Sequence, residues 1–266
     1  MTAIVSDSLQ GEIDTMTTRR QVMKGTAAIA AGVFASGRFA ALAQDAAAEP
    51  PLVWVRVHTM DSIELVQEGS QHVVETLIPQ VKTLPGYGGY IKGEVIDQPK
   101  SLAISVVDDE AHLEELREVL RVFIEGLGER FANLELSEHL GPLSMKASPA
   151  GTEGTPQPSG PLTTGYIAVR NHTSLPGTDP MDFVPAAQEG FLPIVTAIEG
   201  FLGYLWFPHE TGFTAISLYT SPESAQASTD AAMSWATENL AKYTDMNPEV
   251  INATLVYADL PVLAAE

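Results

Sequence analysis

Apolar residues along the chain follow two periods, and the two alternate in the same order in two stretches. Residues 52–59, LVWVRVHT, are β-branched and aromatic-rich and read as a strand. Residues 62–83 place Ile63, Val66, Val73, Leu77 and Val81 at helical spacings, and Gly86 stops that helix. GYIKGEV and SLAISVV read as two strands joined by a turn around residues 97–100. Asp108, Asp109 and Glu110 then supply a cap and dipole-favoured acids for a second helix. Its stripe is Leu113, Leu116, Leu120, Phe123, Leu127 and Phe131. With a closing strand the order is β-α-β-β-α-β, a ferredoxin-like pattern.

The second stretch repeats the first in register. VRVHT at 55–59 returns as VRNHT at 169–173, an offset of 114 residues. At the same offset Glu75, Pro79 and Val81 match Glu189, Pro193 and Val195, and PGYGGY matches EGFLGY. At offset 112, Ala103-Ile104-Ser105 matches Ala215-Ile216-Ser217. Ser221 before Pro222 caps the second helix of this copy. Between the copies the run 145–165 is rich in Pro, Gly, Ser and Thr and reads as a linker. The expected organisation is one unit over 51–146, a linker over 147–162 and a second unit over 163–263. The expected fold class is α+β: two tandem ferredoxin-like βαββαβ units forming an intrachain pseudo-dimeric α/β barrel.

Strand alternation sorts the first strands into two faces. Val53, Val55 and Val57 share one, with Ile167, Val169 and Asn171 in the other copy. Trp54, Arg56 and His58 share the other, with Ala168, Arg170 and His172. The expectation is that the valine face packs under the helices and the Arg/His face turns toward the other unit. Arg56, His58, Arg170 and His172 then form a cationic pocket for an anionic ligand, a two-histidine metal site, or an interface network paired to acids such as Glu94. Two histidines without a third ligand at a defined spacing do not specify a metal, and none is expected.

Comparing the second helices suggests where space opens. Leu113, Leu116, Leu120, Phe123 and Leu127 become Ala225, Ser228, Ala232, Trp235 and Asn239, and on the strand Val57 becomes Asn171. Such losses cost about 2–5 kcal/mol each unless compensated. Either Phe183, Phe191, Trp206, Phe207 and Met233 refill the layer, or a ligand site lies there. The second reading is preferred, with Ser228 and Phe191 among its walls.

Composition narrows the function. The 266 residues are 45% hydrophobic, contain no cysteine and carry a net charge of −20. Disulfides, thiolate metal sites, a cysteine nucleophile and a lipoprotein anchor are excluded. Residues 1–43 hold Arg19-Arg20, an apolar run too short to span a bilayer, and Ala41-Leu42-Ala43 before Gln44. This resembles a twin-arginine export signal, implying passage through that machinery and a periplasmic or extracellular location. The true start is Met1 or Met16. The segment's own charge is +1 (four basic, three acidic residues), which leaves −21 for residues 44–266. So acidic a surface disfavours nucleic acid and anionic membranes. No stable membrane anchor is expected.

A ferredoxin-like unit with a G-[FY]-x-G-[YF] turn after its first helix resembles the antibiotic-biosynthesis-monooxygenase-like group of the dimeric α/β-barrel superfamily. The resemblance implies a monomer with an internal pseudo-dimer. It also implies either a cofactor-independent monooxygenase acting on an aromatic or phenolic compound, or a non-catalytic binding or scaffold protein. In the quinone-forming branch Asn, Trp and Tyr groups steady an anionic intermediate; Asn171, Trp235, Asn239 and Tyr243 are the matching candidates in the second unit. The haem-degrading branch carries Asn on the first strand, Trp on the second helix and His ten residues later. Asn171 fits, Trp235 lies about two turns late, and the last position is Asp245, so no cofactor is predicted, and haem binding or degradation stands as the last and least supported alternative.

Overall fold

The computed structural model describes residues 49–131, 134–149 and 160–263. The expected export signal and most of the expected linker lie outside them. In chain order the main elements are β1 (Leu52–Thr59), α1 (Ile63–His72), α2 (Ile78–Val81), β2 (Tyr87–Val95), β3 (Lys100–Val107), α3 (Glu110–Leu127), β4 (Glu135–Pro142) and β5 (Met145–Ala147). There follow β6 (Tyr166–Thr173), α4 (Val184–Ala186), α5 (Leu192–Thr196), β7 (Phe201–His209), β8 (Gly212–Tyr219), α6 (Pro222–Asn239) and β9 (Glu249–Asp259).

The helix starts follow local chemistry. Ser62, Asp109 and Ser221 each accept a hydrogen bond from the backbone N–H three residues on, capping α1, α3 and α6. Helical periodicity did not foretell a π-helical turn, and two lie among the described residues, Val73–Leu77 and Ala187–Phe191. Each precedes a proline, Pro79 and Pro193, in the next short helix. Proline has no N–H to donate, and its ring crowds the carbonyl four residues earlier. The wider turn accommodates that crowding: the Ile78 N–H reaches back to the Val73 carbonyl, and Leu192 to Ala187.

Among the described residues nine strands form one sheet, in the order β4-β1-β3-β2-β9-β6-β8-β7-β5. The first half (β1 to β4) and the second (β6 to β9) therefore repeat one strand order, and β2 pairs antiparallel with β9 where they meet. The far ends also meet. Between β4 and β5, the Leu143 N–H bonds to Pro51 and the Ser144 N–H to Trp206, so one segment binds both edges and closes the ring. Residues 145–147, expected to begin the linker, are thus strand β5 paired with β7. An extended backbone beside an open edge satisfies its polar groups by pairing, whatever its composition.

Closure overturns the expected orientation of the strand faces. Val53, Val55 and Val57 pack with Ile91, Ile104, Ile167, Val169, Leu205 and Ile216 inside the ring. Trp54 lies instead among Leu77, Ile78, Leu113 and Leu116, on the helix side. The interior of a small barrel has room for compact side chains, which branched aliphatics fill. Bulky and charged residues go to the outer face, under the helices. Arg56 and Arg170 consequently lie each beneath its own half's helices, not facing one another.

Candidate functional site

That outer layer is filled differently in the two halves. In the first half it holds a cavity of about 250 Å3 between α1, α3 and the strands beneath. Gly69 of α1 and Val73 and Leu77 of the π turn form one wall; Leu120, Phe123, Ile124 and Leu127 of α3 form another. The floor is Trp54, Arg56 and His58 from β1, Tyr90 and Lys92 from β2, and Ser101 and Ala103 from β3. Leu134 and the half-exposed Leu136 stand at the rim. A separate hollow at Val81, Tyr87 and Leu116 measures only about 10 Å3, too little for more than one water. Ligand sites are apolar clefts with a few placed polar groups, and the larger cavity has that composition.

Its polar groups are all basic or neutral. The Arg56 guanidinium is buried, donates to Ser105 Oγ at 2.5 Å, stacks 4.0 Å above the Trp54 ring and lies against the Tyr90 hydroxyl. Its Nε has no partner. Burial pushes the Arg56 pKa down and the Tyr90 pKa up. The buried Lys92 ammonium donates to the Ser101 hydroxyl. Desolvation lowers its pKa to about 8, with Glu94 opposing and Arg56 assisting. His58 is lowered to about 4 by burial first, then by Arg56 and Lys92, so it is neutral at pH 7. Trp54 Nε1 donates to the exposed Glu138 at 2.9 Å.

The same layer of the second half is packed with rings. Gly69, Lys92 and Ser101 are replaced at equivalent positions by Phe183, Trp206 and Phe213. These three touch one another, with centroids 4.9–5.6 Å apart. Their bulk occupies what Ala225, Ser228, Ala232 and Ala236 of α6 leave free. Arg170 has two hydroxyl partners, Ser217 at 2.5 Å and Ser228 at 3.2 Å. His172 stacks on Phe213 at 4.4 Å, and burial with Arg170 lowers its pKa to about 4.

The candidates named from sequence separate accordingly. Arg56 and His58 line the first-half cavity. Phe191 packs on Trp235, Tyr243 on Phe183, and Ser228 holds Arg170. Asn171 is on the ring-interior side, accepting from Thr214 and donating to Glu249. Asn239 is exposed at the end of α6 and bonds back to the Trp235 carbonyl. Asn171 and Asn239 therefore share no cavity, and aromatic refilling replaces the space expected in the second half. Lys92, Tyr90 and Ser101 were missed. A lysine in the middle of the apolar strand GYIKGEV, aligned with Trp206, was the available signal.

The cavity's 250 Å3 is less than twice the ~150 Å3 that takes a single benzene ring, too little to enclose a haem. Among the described residues no group of three His, Cys, Asp or Glu side chains is placed to hold a metal.

No protein-family model matches the sequence, and no curated protein does. Solved structures match the fold. A candidate monooxygenase from Lactobacillus acidophilus NCFM superposes with TM-score 0.61 at 9% identity, covering 80% of this chain and 97% of its own. One from Fusobacterium nucleatum gives 0.59 at 9%, covering 80% and 95%. An anthrone oxidase-like protein gives 0.54 at 15%, covering 82% and 97%. At such identities the likeness establishes the ferredoxin-like α/β-barrel fold.

Proposed function

We propose that the protein binds a small, largely apolar molecule, aromatic in the simplest case, in the first-half cavity, and oxidises it with dioxygen. The observation that carries this reading is the 250 Å3 cavity with an apolar wall facing a cationic floor. The anthrone oxidase-like and monooxygenase neighbours support the choice of chemistry by fold analogy.

Such an oxidation balances without a resident cofactor. A CH2 flanked by unsaturated groups becomes C=O; one oxygen atom of O2 enters the product, and the other leaves as water with the two hydrogens. The substrate supplies the electrons. The chain contributes position and field. Val73, Leu77, Leu120 and Phe123 hold the apolar body. The positive floor favours a deprotonated, electron-rich substrate, and the low-dielectric surroundings strengthen that effect.

Oxygen uptake with single-ring phenols tests the reading. One O2 consumed per carbonyl formed, lost in Lys92→Trp, is the expected result. Binding without uptake would leave a carrier of the same molecules; no binding of any apolar probe would end the cavity reading. The proposal includes export by the twin-arginine route, for which the secreted chain should begin at Gln44. A secreted chain retaining Arg19-Arg20 would contradict that.

A further inference from the structure

Two buried cations share the cavity floor, and neither has a carboxylate partner. Among the described residues the ion pairs involve neither Arg56 nor Lys92. Arg56 is 3% exposed and Lys92 2%. Glu94 and Glu138 influence them electrostatically without forming ion pairs, and Glu138 is exposed and already accepts from Trp54. Buried charges are ordinarily paired, because leaving one uncompensated costs several kcal/mol.

The second half is an internal control. Arg170 occupies the place of Arg56 and is equally buried, but two serine hydroxyls hold it. In the first half the residue aligned with Ser228 is Leu116, so Arg56 has no helix hydroxyl; it bonds Ser105 and meets the Tyr90 hydroxyl, and its Nε is left open. A second cation, Lys92, has been added where the other half has Trp206. The first half has thus lost a hydroxyl, gained a positive charge and kept a cavity in front of both.

We propose that the first-half cavity takes its ligand as a carboxylate, seated on the Arg56 guanidinium with the Lys92 ammonium alongside. The hydrocarbon body lies against Val73, Leu77, Leu120 and Phe123. This rests on the cavity being the ligand site. The guanidinium fork matches a carboxylate, and a charge-assisted bond there is stronger than one to a neutral group. A neutral phenol or ketone would leave both cations uncompensated. A cavity of 250 Å3 accommodates one ring with a short acid chain.

The test is calorimetric titration of the full chain at pH 7 with hydrocinnamate and with its neutral amide, hydrocinnamamide, followed by Arg56→Met and Lys92→Met. The expected result is that the acid binds at least thirtyfold more tightly than the amide. Arg56→Met should remove that preference and Lys92→Met should reduce it about tenfold, with the amide's affinity unchanged in both. Equal binding of acid and amide to the wild type overturns the carboxylate while leaving the cavity as the site. Binding of neither, nor of propylbenzene, overturns the site reading and the carboxylate with it. If Arg56→Met does not fold, the Lys92→Met arm and the wild-type comparison decide.

Discussion

The two halves of this chain have one strand order and a side-chain cap at the same place on their second helices, yet they fill the layer beneath those helices differently. In the second half, small residues on α6 face Phe183, Trp206 and Phe213, and the layer is closed. In the first half, Leu120, Phe123 and Leu127 on α3 share a cavity with Gly69, Lys92 and Ser101. Between one half and the other, bulk shifts from the second helix to the elements opposite it: Phe183 stands where α1 has Gly69, and Trp206 and Phe213 where the strands have Lys92 and Ser101. Reading one layer alone, the helix, leaves out the rings that Phe183, Trp206 and Phe213 set opposite the small residues of α6. Volume is a property of both walls.

The largest effect expected from disturbing this comparison is on stability in the closed half. Trp206→Ala removes a fully buried ring from a three-ring cluster and should cost about 3–5 kcal/mol in urea unfolding. Ligand affinity in the first half should be unchanged; a small loss of stability would mean the aromatic cluster is loosely packed.

Lys92→Trp gives the open half a side chain of the closed one. It should lower affinity for any cavity ligand at least a hundredfold in calorimetry, with the fold retained by circular dichroism. Undiminished affinity would place the ligand elsewhere.

The pH dependence of stability separates the halves next. Lys92 has a folded pKa of about 8 against 10.5 unfolded. Between those values the unfolded chain binds the proton and the folded chain does not, so stability rises with pH there. Arg56 and His58 of β1, Tyr90 and Glu94 of β2, Tyr257 of β9, and Arg117 and Arg121 near the rim are the charged and titratable groups around it. The tyrosines whose pKa values are raised, Tyr87, Tyr90, Tyr204, Tyr219 and Tyr257, oppose the trend as pH approaches 10, where they begin to ionise in the unfolded chain. From pH 8 to 9 the gain should be on the order of 1 kcal/mol, and Lys92→Met should abolish it. A rise that survives in Lys92→Met would assign it to another group.

The smallest effect is expected at Asn171→Val, which copies Val57 of the first half. Thr214 and Glu249 lose a partner, costing about 1 kcal/mol, and affinity for cavity ligands should not change. A large loss of binding or oxygen uptake would return the site to the second half.

The sequence by itself determined the element order, the helix caps at Asp109 and Ser221, the register of the two halves and the ferredoxin-like fold class. These follow from local chemistry and from periods of 2 and 3.6 residues, which need no knowledge of neighbours. It also marked Arg56 and His58 as one face of β1. It did not determine which face turns inward, because a closed sheet buries both, and alternation only separates them. Nor could it decide that β5 closes the ring, that Pro79 and Pro193 each follow a π turn, or that the cavity lies in the first half. Each of those depends on atoms from distant segments competing for one volume. Gly69, Lys92 and Ser101 belong to three elements, and only their meeting under α3 makes a space that Phe183, Trp206 and Phe213 fill in the other half.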